Sequence, residues 1–137
     1  MPQANVETFR RIIDAANLPA NEIESVLEPL VVPGLRMENV TSAITDNTYY
    51  GVAGCLAWRA DLAEGFGPEM RFEVEEILAA GEDFVVGRQV LTGTGAKSGA
   101  PLHLRWATVM WFEDGRASRI TGYTTRRQAF EALGLEG

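Results

Sequence analysis

The feature that most restricts the fold of this chain is a change of hydrophobic period near Glu69. Before it, apolar residues recur at helical spacing; after it, they alternate with polar ones. Val6, Phe9, Ile12, Ile13 and Ala16 lie three and four residues apart and predict a first amphipathic helix over about Val6–Asn17. Asn17-Leu18-Pro19 ends it, because proline has no N–H for the helical ladder. Ile23, Val26 and Leu27 mark a second short helix, closed by Pro29. Leu30–Val40 reads as a first strand and Thr41–Tyr50 as a polar loop. Gly51–Phe66 returns to helical spacing through Cys55, Trp58, Arg59, Leu62 and Phe66, and Gly65, Gly67 and Pro68 stop it.

Beyond Glu69 the period is two. Phe72, Val74 and Leu78 alternate with Arg71, Glu73 and Glu75, then Gly81-Glu82-Asp83 makes a turn. Phe84–Thr92 is a β-branched strand, the segment from Gly93 to Gly99 a hairpin tip, and Leu102–Phe112 a long strand. Glu113-Asp114-Gly115 turns the chain into a last strand, Arg116–Thr124. Thr125 and Gln128 have the spacing of a capping box ahead of a helix over about Arg126–Leu133, and Gly134 suits the left-handed residue after it. Helices come first and strands follow. That order predicts one α+β domain over residues 1–137: a cone-shaped, curved, mostly antiparallel sheet with helices packed on its concave face.

Composition narrows the function classes. Apolar residues at 46% and charged residues at 23% are those of a folded domain, not a disordered one. A formal charge of −7 disfavours nucleic-acid and anionic-membrane partners, which call for Lys/Arg clusters. No run is long and apolar enough for a membrane span. Met1-Pro2-Gln3 begins no basic, then apolar, leader, so a cytoplasmic location is expected. Cys55 and His103 are each alone, so no intrachain disulfide forms and no metal site or cofactor is expected. A Cys55–His103 hydrolase pair survives by count, although a small buried thiol is the simpler reading of Cys55.

Several local sequences, in this order, resemble the SnoaL-like branch of the nuclear transport factor 2-like superfamily. They are the helical start through Leu30; Tyr50-Gly51 leading to Leu56-Ala57-Trp58; Val74-Glu75-Glu76-Ile77; Gly81 to Val86; Ser98 to Leu102; Trp111 to Arg116; and Tyr123 through Leu135. The resemblance implies a cone-shaped pocket for an apolar small molecule. It leaves the chemistry open, because the superfamily includes polyketide cyclases, ketosteroid isomerases, epoxide hydrolases and non-catalytic modules. The isomerase pattern needs a Tyr on the first helix, an Asp base on the first strand and a protonated Asp on the long strand. Those places fall on Phe9, Asn39 and Thr108, none of which supplies that chemistry. The last-strand Asp of the epoxide-hydrolase pattern falls on Gly122.

Alternation offers another candidate. Phe72, Val74, Glu76 and Leu78 share one strand face, which should meet the core. A carboxylate there would have a raised pKa and could act as acid or base. The other reading puts Glu76 at the rim, or in an ion pair with Arg88 or Arg59. Trp106, Thr108 and Met110 share the face expected to line the cone, with Gln89 beside them and Trp58 closing it from the helix side. Tyr50 is placed at the mouth, where simple loop packing explains it equally well. Asn39, Gln89 and Thr108 would orient a carbonyl or hydroxyl.

The opposite face of the long strand carries His103, Arg105, Val109 and Trp111. An exposed Val109–Trp111 stripe predicts a homodimer through the convex face, or else a terminal segment covering it. Gly95-Ala96-Lys97-Ser98-Gly99 resembles a phosphate loop but lacks Gly before Lys and is flanked by strands on both sides. Three functions remain: a cofactor-free acid/base enzyme using Glu76 on a polyketide- or terpenoid-like substrate, a non-catalytic ligand-binding or dimerisation module, and a protein-interaction module. The first is favoured on the polar groups assigned to the pocket.

Overall fold

A computed structural model describes residues 2–39, 48–67, 69–95 and 99–135. Three helices and two strands open the described chain: α1 (Pro2–Ala15), α2 (Ala20–Leu27), β1 (Val31–Asn39), β2 (Thr48–Tyr50) and α3 (Gly51–Phe66). Four strands and a helix follow: β3 (Arg71–Ala80), β4 (Phe84–Thr94), β5 (Pro101–Glu113), β6 (Arg116–Tyr123) and α4 (Arg126–Ala132). The strands form one curved sheet in the order β2-β1-β6-β5-β4-β3. Among the described residues only β1–β6 is parallel; the other four pairings are antiparallel. The parallel pair brings the first long strand beside the last.

Two differences from the sequence reading have local causes. The first helix begins at Pro2, a residue suited to a helix start, and its polar first turn buries Asn5, whose Nδ2 donates to Glu82 O (2.8 Å). The apolar period starts only at Val6 and so hid this turn. Thr48–Tyr50 is an edge strand on β1, not loop; three residues are too few to show an alternation. Residue 40 of the expected first strand, residues 41–47 of the expected loop and 96–98 of the hairpin tip lie outside the described residues.

α1, α2 and α3 pack on the concave face with Phe72, Val85, Leu91, Met110 and Ile120 beneath them. Phe9 is fully buried because Gly87 leaves room for its ring: a Cβ there would meet Phe9 Cζ at 2.6 Å. Asn17 extends the sheet edge past α1, accepting from Phe72 N–H (2.7 Å) and donating to Phe72 O (2.8 Å). Asp114 and Gly115, both at positive φ (52° and 80°), make the tight two-residue turn between β5 and β6. α4 starts with the capping box read from the sequence and lies on the other face, where Ala129 and Phe130 cover Val86, Ala107 and Val109.

Candidate functional site

The concave face holds a cavity of about 680 Å³, its open mouth included. α1 and the turn after it contribute Ile12, Ile13 and Ala16, α2 contributes Ile23 and Leu27, and α3 contributes Cys55, Trp58 and Arg59. The sheet supplies Met37, Gln89, Trp106, Thr108, Ile120 and Gly122. Trp58 is braced against Phe72, their ring centroids 5.4 Å apart. The wall is largely apolar because the inward positions of β1, β4, β5 and β6 and the inner helix faces all converge on it.

Its polar groups are few and specific. Thr108 Oγ1 donates to Gln89 Oε1 (2.6 Å), and both residues are buried. That bond fixes the carboxamide and leaves Gln89 Nε2 without a partner among the described residues, although it is not sealed off. Arg59 reaches back across the helices, its Nε donating to Ala16 O (2.8 Å) and its Nη2 to Leu18 O (3.2 Å). None of the described carboxylates forms an ion pair with it. Glu38 touches the cavity, but its carboxylate is held by Arg36 (2.8 Å) and Arg119 (2.9 Å). Partial burial pushes that carboxyl up, yet the hydrogen bonds from Arg36 and Arg119 outweigh it and the net pKa is lowered. Burial pushes the Cys55 thiol up to about 11, so it stays protonated at neutral pH. Among the described residues, no cluster of His, Cys, Asp or Glu could hold a metal ion.

Glu76 is not in this cavity. The β3–β4 register shifts between Val74 and Glu76, so Val74 opposes Gln89 while Glu76 opposes Arg88. The bulge reverses the alternation: Val74 and Ile77 pack into the concave core, and Glu76 turns to the convex face. There its side chain is 57% exposed and pairs with Arg88 at 3.1 Å. A solvated, ion-paired carboxylate has none of the desolvation an acid/base role would use.

Trp58, Gln89, Trp106 and Thr108 come together in the wall. Met110 shares their strand face but is completely buried in the core and is not part of the lining. Tyr50 is 64% exposed and outside the lining, on the short edge strand. Asn39 pairs in register with Gly122, which lines the cavity; its side chain lies outside the described residues. Sequence reasoning missed Arg59 as a wall residue. Its signal was a lone cation within the apolar spacing of the third helix.

The convex face also differs from expectation. Val109 is fully buried beneath α4 and so is not available to a second copy. His103 and Arg105 are exposed, and Arg105 pairs with Glu75 (2.9 Å). Trp111 is half-buried, with the Arg119 guanidinium 4.5 Å over its ring. His103 and Cys55 stand on opposite sides of the sheet, which removes the hydrolase pair. Among the described residues, no helix is long and apolar enough to cross a membrane.

A SnoaL-like domain family model matches residues 9–120. No curated protein matches the chain. Solved structures with the same fold include a Jannaschia sp. CCS1 protein described as a SnoaL-like polyketide cyclase. It is 24% identical, with a TM-score of 0.73 over 99% of this chain and 95% of that one. A Catenulispora acidiphila protein with a ketosteroid isomerase-like fold, in complex with trimethylamine, is 14% identical, with a TM-score of 0.70 over 95% and 94% of the two chains. TerC, co-crystallised with polyporic acid, is 21% identical, with a TM-score of 0.69 over 95% and 97%.

Proposed function

The chain belongs to the SnoaL-like domain family, and from that premise we propose that it binds an apolar, polyketide- or terpenoid-like small molecule in the concave cavity. The observation that carries this reading is the buried Gln89–Thr108 pair set in an otherwise apolar wall. A few fixed polar groups in an apolar cavity are what orients a small ligand. Two structural neighbours hold small molecules, trimethylamine in one and polyporic acid in the other. Binding ranks above acid/base catalysis here. The described carboxylates near the cavity reduce to Glu38, which two arginines keep ionised, and Glu76 lies on the other face.

The test uses Nile red, a neutral dye whose fluorescence rises in apolar surroundings. The wild-type chain is expected to bind it saturably. Ala16→Phe, which projects a ring into the cavity, should weaken binding at least about tenfold, roughly 1.4 kcal/mol, with unchanged circular dichroism. Equal binding by both proteins would place the dye elsewhere and end this reading. For the convex face, we assign pairing of two copies to the strip that α4 leaves open, His103, Arg105 and Trp111. Sedimentation equilibrium showing a monomer at every concentration would remove that assignment.

A further inference from the structure

We propose that the ligand of this cavity is an apolar keto acid: a hydrophobic body carrying a carbonyl oxygen for Gln89 and an anionic oxygen for Arg59. This rests on the cavity being a ligand site, and it specifies the ligand's polar chemistry.

The wall offers donors and has its strongest acceptors occupied. Gln89 Oε1 already accepts from Thr108, and Glu38, though it borders the cavity, turns its carboxylate to the convex face, where Arg36 and Arg119 hold it. What remains is the Gln89 amide, with two N–H bonds and no partner among the described residues. Because Gln89 is only 2% exposed, that amide has little access to bulk water. A purely hydrocarbon ligand would leave it buried and unpaired, which is costly. A carbonyl oxygen satisfies it without carrying hydrogen into a site that has donors already.

Arg59 adds the charge. Six other arginines, Arg36, Arg71, Arg88, Arg105, Arg119 and Arg127, pair with glutamates. Among the described residues Arg59 does not, and neither do Arg10, Arg11, Arg116 and Arg126, but of these five Arg59 is the one that lines the cavity, in a chain whose formal charge is −7. A guanidinium has five N–H donors. Arg59 spends two nitrogens on the carbonyls of Ala16 and Leu18, which hold it in the cavity wall and leave further donors open. A carboxylate entering an apolar space needs a cation with fixed donors, and Arg59 is one. If Arg59 served only to cap the end of α1, the ligand's charge would not affect affinity.

Four naphthalenes separate these possibilities on the full chain by isothermal titration calorimetry at neutral pH. They are 6-acetyl-2-naphthoate, 2-acetylnaphthalene, 2-naphthoate and 2-ethylnaphthalene. The keto acid should bind tightest, and loss of either polar group should weaken it about tenfold. Gln89→Leu should erase the advantage of the acetyl group and keep that of the carboxylate. Arg59→Met should do the reverse, and Arg59→Lys, which retains the cation and is the fallback if the methionine variant folds poorly, should restore part of it. Equal affinity for all four, or tightest binding of 2-ethylnaphthalene, overturns the keto-acid assignment and leaves the proposed function standing. The assignment also falls if Nile red binds and no naphthalene does. If Nile red and all four fail, the ligand site itself falls with it.

Discussion

The two faces of the sheet treat polar groups in opposite ways. On the convex face charges are matched locally: Glu76 with Arg88, Glu75 with Arg105, Glu38 with Arg119, and Arg119 again with the Trp111 ring. On the concave face, the Gln89 amide and part of the Arg59 guanidinium stay open inside an apolar cavity. Two unpaired polar atoms among the described residues, one on each face, differ in kind. Thr121 Oγ1 is fully occluded and has no partner among the described residues, whereas Gln89 Nε2 borders a cavity. An unpaired group with no space beside it is a cost of folding. One that borders a cavity is what the proposed ligand would satisfy.

That contrast can be broken by substitution. The largest effect belongs to the floor under the helices: Phe9→Ala should cost about 3–5 kcal/mol in denaturant unfolding, because the ring fills the space over Gly87. A loss below about 1 kcal/mol would mean that α1 does not anchor the concave face as described. Next is the polar pair. Gln89→Leu strands the Thr108 hydroxyl and should cost about 1–3 kcal/mol, while Gln89→Leu with Thr108→Val should recover most of that. If the double variant is no more stable than the single one, the bond is not what holds the pair.

The convex orphan should respond with the opposite sign. Thr121→Val removes an occluded hydroxyl and should raise stability by about 1 kcal/mol with ligand affinity unchanged. A lower melting temperature would show that the hydroxyl is bonded. Glu38 sharpens the account through pH. Its carboxyl lies below the ordinary 4.5 in the fold, so its contribution is present above that pH and lost as pH falls through the lowered value. Acid unfolding of Glu38→Gln should therefore be less steep than that of the wild type below pH 4.5, and parallel curves would count against the pairing. Smallest of all is Glu76→Gln, which breaks an exposed pair and should change stability by less than about 1 kcal/mol and ligand binding not at all. Loss of binding in that variant would return Glu76 to the site.

Much of this was legible before the structure. Helical spacing and alternation located the main elements, and the Thr125–Gln128 box located the start of α4. β5 could be read by parity because its register with β4 runs unbroken from Phe84–Trp111 to Thr94–Pro101, which put Trp106 and Thr108 on the cavity side together. β3 could not. Its bulge before Glu76 is set by how the strand fits its neighbour, and no residue in Val74-Glu75-Glu76-Ile77 announces it. Met110 has the right parity but lies too deep, which depends on where the helices sit. Arg59 was hidden for the converse reason: a charge on a helix is ordinarily solvated, and only the packing of α3 against the end of α1 turns it to the wall.

The three tryptophans divide between the two faces, Trp58 and Trp106 in the cavity wall and Trp111 on the convex side. Their indole N–H signals, recorded with the Gln89 side-chain amide in a ¹⁵N-labelled sample titrated with 6-acetyl-2-naphthoate, report on both faces at once. Trp58, Trp106 and the Gln89 amide are expected to shift together and saturably while Trp111 stays in place. Shifts confined to Trp111, with the cavity signals unmoved, would contradict the proposed site.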